Sequence, residues 1–68
     1  MLVFVTGVNG QLGYDTVKEL LSRGHRVIGS GTAAECRCAC EYCRLDITDT
    51  VAVNAALMRI KPDAVIHC

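Results

Sequence analysis

The chain has little aromatic character, no excess charge of either sign and no long apolar run, and each absence removes a class of function. Its aromatic residues are Phe4, Tyr14 and Tyr42, too few and too scattered to stack against the bases of a single-stranded nucleic acid. Basic and acidic residues number seven each and are interspersed, so the net charge is zero and the isoelectric point lies near 6.7. Without a basic patch there is no electrostatic footprint for nucleic acid or for an anionic membrane surface. No apolar stretch approaches the roughly 20 residues of a membrane-spanning helix. Met1 leads directly into a strand-like run, without the basic segment, long apolar segment and cleavage site of a secretory leader. A cytoplasmic location is therefore expected. Nor is there an internal repeat, a low-complexity tract or a linker.

What is present, close to the start, is a glycine-rich turn. Val5-Thr6-Gly7-Val8-Asn9-Gly10-Gln11-Leu12-Gly13 places G-x-x-G-x-x-G directly behind the apolar run that begins at Leu2. In such a junction a buried parallel strand enters a turn with no Cβ in the way. A helix then opens with its unpaired N–H groups and positive dipole end facing an anion. The three glycines have separable expected roles: Gly7 for the sharp turn, Gly10 for close approach of backbone to a pyrophosphate, Gly13 for close packing of the helix on the sheet. Gly13, Val17, Leu20 and Gly24 are spaced by four, three and four, which puts them on one helical face. A glycine triplet alone is weak evidence, and the plain alternative is an ordinary strand-to-helix turn. Strand, loop and periodic helix in the required order favour a dinucleotide.

Leu2-Val3-Phe4-Val5 reads as a strand covered on both faces, residues 12–23 as the first helix with Gly24 beyond its end, and residues 26–30 as a second strand. Residues 31–44 have no period and read as a loop. Arg44-Leu45-Asp46 reads as a short third strand, and Thr48 or Asp49 as the N-cap of a second helix. That helix buries Val53, Ala56, Leu57 and Ile60 and stops at Pro62. Ala64-Val65-Ile66 is a fourth strand. The expected fold is α/β, a partial Rossmann fold whose parallel sheet runs 3-2-1-4 with flanking helices. A hydrophobic fraction of 51% and a mean hydropathy of +0.33 are high for 68 residues. Dinucleotide-binding domains usually have about 150 residues. The chain is therefore expected to be the N-terminal part of such a domain, without its substrate-binding region.

Cys36-x-Cys38-x-Cys40-x-x-Cys43 invites a metal, because four thiolates suit zinc or an iron–sulfur cluster. Structural zinc sites usually join two separated ligand pairs, and four sulfurs within eight residues lack that arrangement. His25 is a conceivable helper, more ordinarily a surface residue. Free thiols in a variable loop, with no metal, are expected, with redox-linked disulfide chemistry as the remaining alternative, and Cys68 is expected to act as a small buried hydrophobe.

Thr6-Gly7-x-x-Gly10-Gln11-Leu12-Gly13, Leu45-Asp46-Ile47-Thr48-Asp49 and Lys61-Pro62-Asp63-Ala64-Val65-Ile66-His67-Cys68 together resemble the N-terminus of the dTDP-4-dehydrorhamnose reductase family, within the extended short-chain dehydrogenases/reductases. The resemblance covers the chain except residues 31–43. It implies an oxidoreductase whose parent protein reduces the 4-keto group of dTDP-4-dehydro-L-rhamnose, a nucleotide sugar, with NADPH or sometimes NADH, and it is compatible with a homo-oligomeric parent. Carried over residue by residue, it implies cofactor binding at Gly7, Asn9, Gly10, Gln11, Leu12 and Gly13 around the pyrophosphate. Asp46 would accept from the adenine amine and Ile47 would pack on the ring. The plain alternative for Asp46 is a solvated charge at a strand end.

Two departures from the family pattern matter. Strand two ends Ser30-Gly31-Thr32, without the acidic residue that often binds the ribose of NAD. Nothing there repels a 2′-phosphate and Arg37 is a candidate to reach one, so NADP is preferred, with Glu35 as the residue that would favour NAD. Secondly, the Tyr-x-x-x-Lys pair that carries catalysis in the superfamily is mimicked by Tyr14 and Lys18, but these follow the phosphate loop immediately and sit in the wrong helix. No catalytic residue is expected in this chain. A nucleotide-sugar epimerase or dehydratase of the same superfamily, or a noncatalytic regulatory protein of the same fold, would share these N-terminal blocks.

Overall fold

A computed structural model describes residues 1–68. In chain order the elements are β1 (Leu2–Thr6), α1 (Gln11–Ser22), β2 (Arg26–Gly31), β3 (Glu41–Arg44), α2 (Thr50–Ile60) and β4 (Ala64–His67). All strand pairs are parallel and the sheet order is β3-β2-β1-β4, the expected one. β1 is central: Val3 lies opposite Val27 on one side and Ala64 on the other.

The period of two along β1 builds two cores. Val3 and Val5 join Val8, Val17 and Val27 beneath α1, while Phe4 joins Leu45 and Ala56 beneath α2. Leu20 packs against the first core, and Val53, Leu57 and Ile60 against the second, so both helical faces read from the sequence meet the sheet. Gly24 is an exception. It lies past α1 at φ 83 with nothing within 4 Å of where its Cβ would stand. There it closes a Schellman cap, its N–H bonding Leu21 O and that of His25 bonding Leu20 O.

The third strand is displaced from its expected position. It occupies Glu41–Arg44 within the segment expected to be a loop, not residues 44–46. Its register is held by Arg26, whose Nε and Nη2 donate to the two Glu41 oxygens at 2.7 and 2.9 Å. Leu45 still donates to Gly31 O at 2.8 Å, then turns inward and is 7% exposed. Burial of Leu45 against Phe4, rather than strand pairing, makes this position apolar.

The two helices begin differently. Asp49 caps α2 by accepting from Ala52 N–H at 3.1 Å, whereas no side chain caps α1 and no acidic residue lies in its first turn. Asp49→Ala is expected to cost about 1 kcal/mol, measurable as a lower urea midpoint with an unchanged slope. Past α2, Lys61 adopts a left-handed conformation at φ 49 and Pro62 follows. No helix is long and apolar enough to cross a membrane.

Candidate dinucleotide site

The carboxyl ends of the four strands meet at one edge of the sheet, where open α/β folds bind ligands. Gly7, Gly31, Thr32, Leu45, Ile47 and Cys68 line a depression of about 160 Å³ there. A larger one of about 420 Å³ shares Thr32 and Leu45 with it and adds Arg44, Asp46, Asp49 and Ala52. The two share a wall, and together they run from the glycine turn toward the start of α2.

At the turn the three glycines differ in their surroundings. Gly7 has φ 67, and a Cβ there would stand 2.7 Å from Cys68 O, across the crevice between β1 and β4. A Cβ on Gly13 would overlap Gly7 O and lie 2.7 Å from Val8 Cα, so the close contact is with the turn itself rather than with the strands behind it. Gly10 differs from both. Its φ of −79 suits any residue, and a Cβ would meet only Gly7 O, at 3.6 Å. Nothing in the protein requires glycine at this position.

Directly after Gly10 the N–H groups of Gln11 and Leu12 have no acceptor in the chain, the first backbone donor of the helix being Tyr14 N–H to Gly10 O at 2.9 Å. Uncapped donors and an unused space beside Gly10 form a cradle for an anion. Leu12 is 68% exposed and Ile47 47% exposed, apolar side chains left bare near this edge.

The other expected site residues are more occupied. Asn9 spends its amide on the cysteine-rich loop: Nδ2 donates to Glu35 O at 3.2 Å and Tyr42 Oη at 3.4 Å, and Oδ1 accepts from Arg37 N–H at 3.0 Å. Gln11 Nε2 donates to both Asp15 oxygens at 3.2 and 3.1 Å. Asp46 Oδ1 accepts from Thr48 N–H at 2.9 Å and Thr48 Oγ1 at 2.7 Å, which holds its carboxyl below the usual range. Its Oδ2 has no partner in the chain and remains free to accept. Gly7 and Ile47 share the small depression and Asp46 lines the large one, whereas Asn9, Gly10, Gln11, Leu12 and Gly13 line neither.

Arg37 does not line the depressions. Its Nη1 donates to Asn9 O at 3.0 Å and its guanidinium lies 4.8 Å from the Tyr14 ring centroid, so it is tied to the glycine turn. The arginine that lines the large depression is Arg44, whose Nε donates to Thr32 O at 3.0 Å. Sequence reasoning misses Arg44 because it starts β3 three residues late. The last residue of a parallel strand stands at the ligand edge, a signal visible only once that strand ends at residue 44. Tyr14 lies under Arg37 and 5.8 Å from Lys18 Nζ. This stacked arrangement packs the cysteine-rich loop onto α1.

Matches to known proteins agree with this fold. The sequence profile of a family described as NAD dependent epimerase/dehydratase matches residues 3–68. Over all 68 residues the chain is 43% identical to the "Probable low-salt glycan biosynthesis reductase Agl14" of Haloferax volcanii, covering 23% of that protein. Among solved structures, the Bordetella bronchiseptica enzyme WbmH in complex with NAD+ superposes with a TM-score of 0.82 at 32% identity, over 98% of this chain and 25% of that one. The UDP-glucose 4-epimerase of Thermus thermophilus in complex with NAD superposes with a TM-score of 0.84 at 30% identity, over 98% of this chain and 23% of that one. The chain thus spans about a quarter of the length of the relatives it matches.

Proposed function

The chain belongs to the NAD dependent epimerase/dehydratase family, and on that premise we propose that it is the N-terminal part of an NAD(P)-binding Rossmann domain in a nucleotide-sugar oxidoreductase. In our reading the parent protein reduces the 4-keto group of dTDP-4-dehydro-L-rhamnose with NADPH. The observation that carries the cofactor assignment is Gly10: the chain keeps a glycine that its own packing does not need, beside uncapped helix donors. A pyrophosphate fills that space, and a side chain would compete with it.

The cofactor, when bound, supplies the hydride. This chain's residues bind and orient it. N–H groups of Gln11 and Leu12 meet the pyrophosphate, Asp46 accepts from the adenine amine through its free Oδ2, and Ile47 covers the ring. Arg44, rather than Arg37, takes the 2′-phosphate, because it lines the large depression beside Thr32 and Asp46. The absence of an acidic side chain at Ser30-Gly31-Thr32 supports the same preference. Proton donation belongs to residues outside this chain, as the stacking of Tyr14 against Arg37 supports. The three sequence blocks and the relative named as a glycan biosynthesis reductase favour reduction. The structures of relatives with NAD favour a second reading, an epimerase that retains its cofactor.

The full-length protein is expected to oxidise NADPH only when dTDP-4-dehydro-L-rhamnose is supplied, read as loss of nicotinamide absorbance. Interconversion of UDP-glucose and UDP-galactose with the cofactor retained would replace this reading with the epimerase, and turnover of neither with a noncatalytic member. Arg44→Ala should weaken NADPH binding about 10- to 100-fold, the worth of a charge-assisted phosphate contact, and leave NADH nearly unchanged. Equal losses for the two cofactors would remove Arg44 from the 2′-phosphate.

A further inference from the structure

Between β2 and β3 the chain bends repeatedly, and the alternation Cys36-Arg37-Cys38-Ala39-Cys40 sorts side chains by burial. Arg37 and Ala39 are exposed, whereas the three cysteines are half-buried against the core beneath α1. Their Sγ atoms all lie within 4.8 Å of one another, and Cys36 and Cys40 are 3.9 Å apart. A zinc–sulfur bond of about 2.3 Å sets the sulfurs of a tetrahedral site about 3.8 Å apart. The trio is already close to that spacing.

Four sulfurs lie within eight residues of sequence, and the fold separates the fourth. β3 alternates its faces, so Tyr42 packs with the α1 core and Cys43 with Phe4 on the other side of the sheet. Cys68 lies past β4 against Thr16, and His25 is at the opposite end of β2, beside the N-terminus. The protein donor set is three sulfurs alone.

The surroundings are built for sulfur. Gly29, in the middle of β2, leaves the space in which Cys40 sits: a Cβ there would be 3.2 Å from Cys40 Sγ and 2.8 Å from Val8 Cγ1. Cys38 N–H donates to Cys36 Sγ at 3.3 Å, a bond that favours the thiolate. Arg37, between two of the ligands in sequence and anchored on Asn9 O, brings a positive charge next to the anionic set.

We propose that Cys36, Cys38 and Cys40 form a three-thiolate site for one soft d10 cation, Zn2+ or Cu(I), beside the glycine turn. On binding, each thiol releases its proton to solvent and each sulfur donates an electron pair to the metal. No sulfur changes oxidation state. Cu(I) is satisfied by three sulfurs, and Zn2+ completes a tetrahedron with water.

The test uses full-length protein, purified anaerobically with a phosphine reductant and stripped with a chelator. One arm titrates Zn2+ against a chromophoric chelator, with Co2+ as a spectroscopic stand-in that reports thiolate charge transfer; the other titrates Cu(I) against a Cu(I)-specific chelator. One equivalent of either ion per chain is expected. Cys38→Ser should weaken it by more than the about 10- to 100-fold that an outer hydrogen-bond partner is worth, and Cys43→Ser should not. Dinucleotide binding by Cys38→Ser shows that the variant is folded. Failure of the unaltered protein to take up a stoichiometric equivalent of either ion overturns the proposal. So does uptake that survives replacement of all three cysteines by serine, or uptake that falls with Cys43→Ser.

Discussion

Gly13→Ala is expected to destabilise the protein by about 3 kcal/mol or more, at the upper end of overpacking costs. One methyl group is added, yet its place is taken by the carbonyl oxygen of Gly7, with Val8 Cα 2.7 Å away. Both obstacles are backbone. Neither can rotate aside as a side chain would, so the first turn of α1 must lift off the glycine turn, away from the core at Val8 and Val17. A urea unfolding curve of the full-length protein reads the effect, with Gly24→Ala as its counterpart. At Gly24 the space is empty and only the left-handed backbone at φ 83 resists a side chain, a cost of about 1–2 kcal/mol. If Gly13→Ala unfolds at the same urea concentration as the unaltered protein, the close contact between α1 and the turn is wrong.

Gly10→Val should do the reverse, costing little stability and most of the cofactor affinity. The only protein atom near the new Cβ is Gly7 O at 3.6 Å, an ordinary contact. Poorer N-capping costs about 1 kcal/mol. The two added methyls occupy the space beside the Gln11 and Leu12 donors, and NADPH affinity should fall on the order of 100-fold, equivalent to about 3 kcal/mol. Lys18→Ala, on the outer side of α1, should change it less than about 3-fold, within the usual effect of surface substitutions. Fluorescence titration of NADPH compares the variants. An affinity loss at Lys18 equal to that at Gly10 would remove the pyrophosphate from the turn.

The opposite outcomes at Gly10 and Gly13 show what can be read from residues alone. Their three-residue spacing announces the turn, because strand, glycines and helix occur in an order that few other structures need. The spacing does not say which glycine is packed against the turn and which stands beside open space; that distinction depends on the position of Gly7 O. The helices were legible to within a residue, since Val17, Leu20, Val53, Ala56 and Leu57 repeat at helical intervals. β3 was not. It is an edge strand of four residues whose register is held by Arg26 and Glu41, fifteen residues apart, and a long-range ion pair leaves no local period. The apolar Leu45 marked a core contact instead. The cysteines show the same limit: spacing presented four together, whereas the alternation of β3 sends Cys43 to the other face and leaves three.

The central position of β1 has a consequence for assembly in time. Every strand pair is parallel, so no hairpin exists to nucleate the sheet. β1 meets β2 across 24 residues at Leu2 and Arg26, but Val3 reaches Ala64 only after β3, α2 and their loops have been added. The entropic difference between closing those two loops is only about 0.8 kcal/mol. During synthesis the difference is one of waiting. At about 5–20 residues per second, the apolar flank of β1 that β4 will cover stands open for roughly 2–8 s after β2 has been made. Val3, Phe4 and Val5, each no more than 2% exposed in the finished sheet, are made before either strand that flanks them and are enclosed only when β4 arrives.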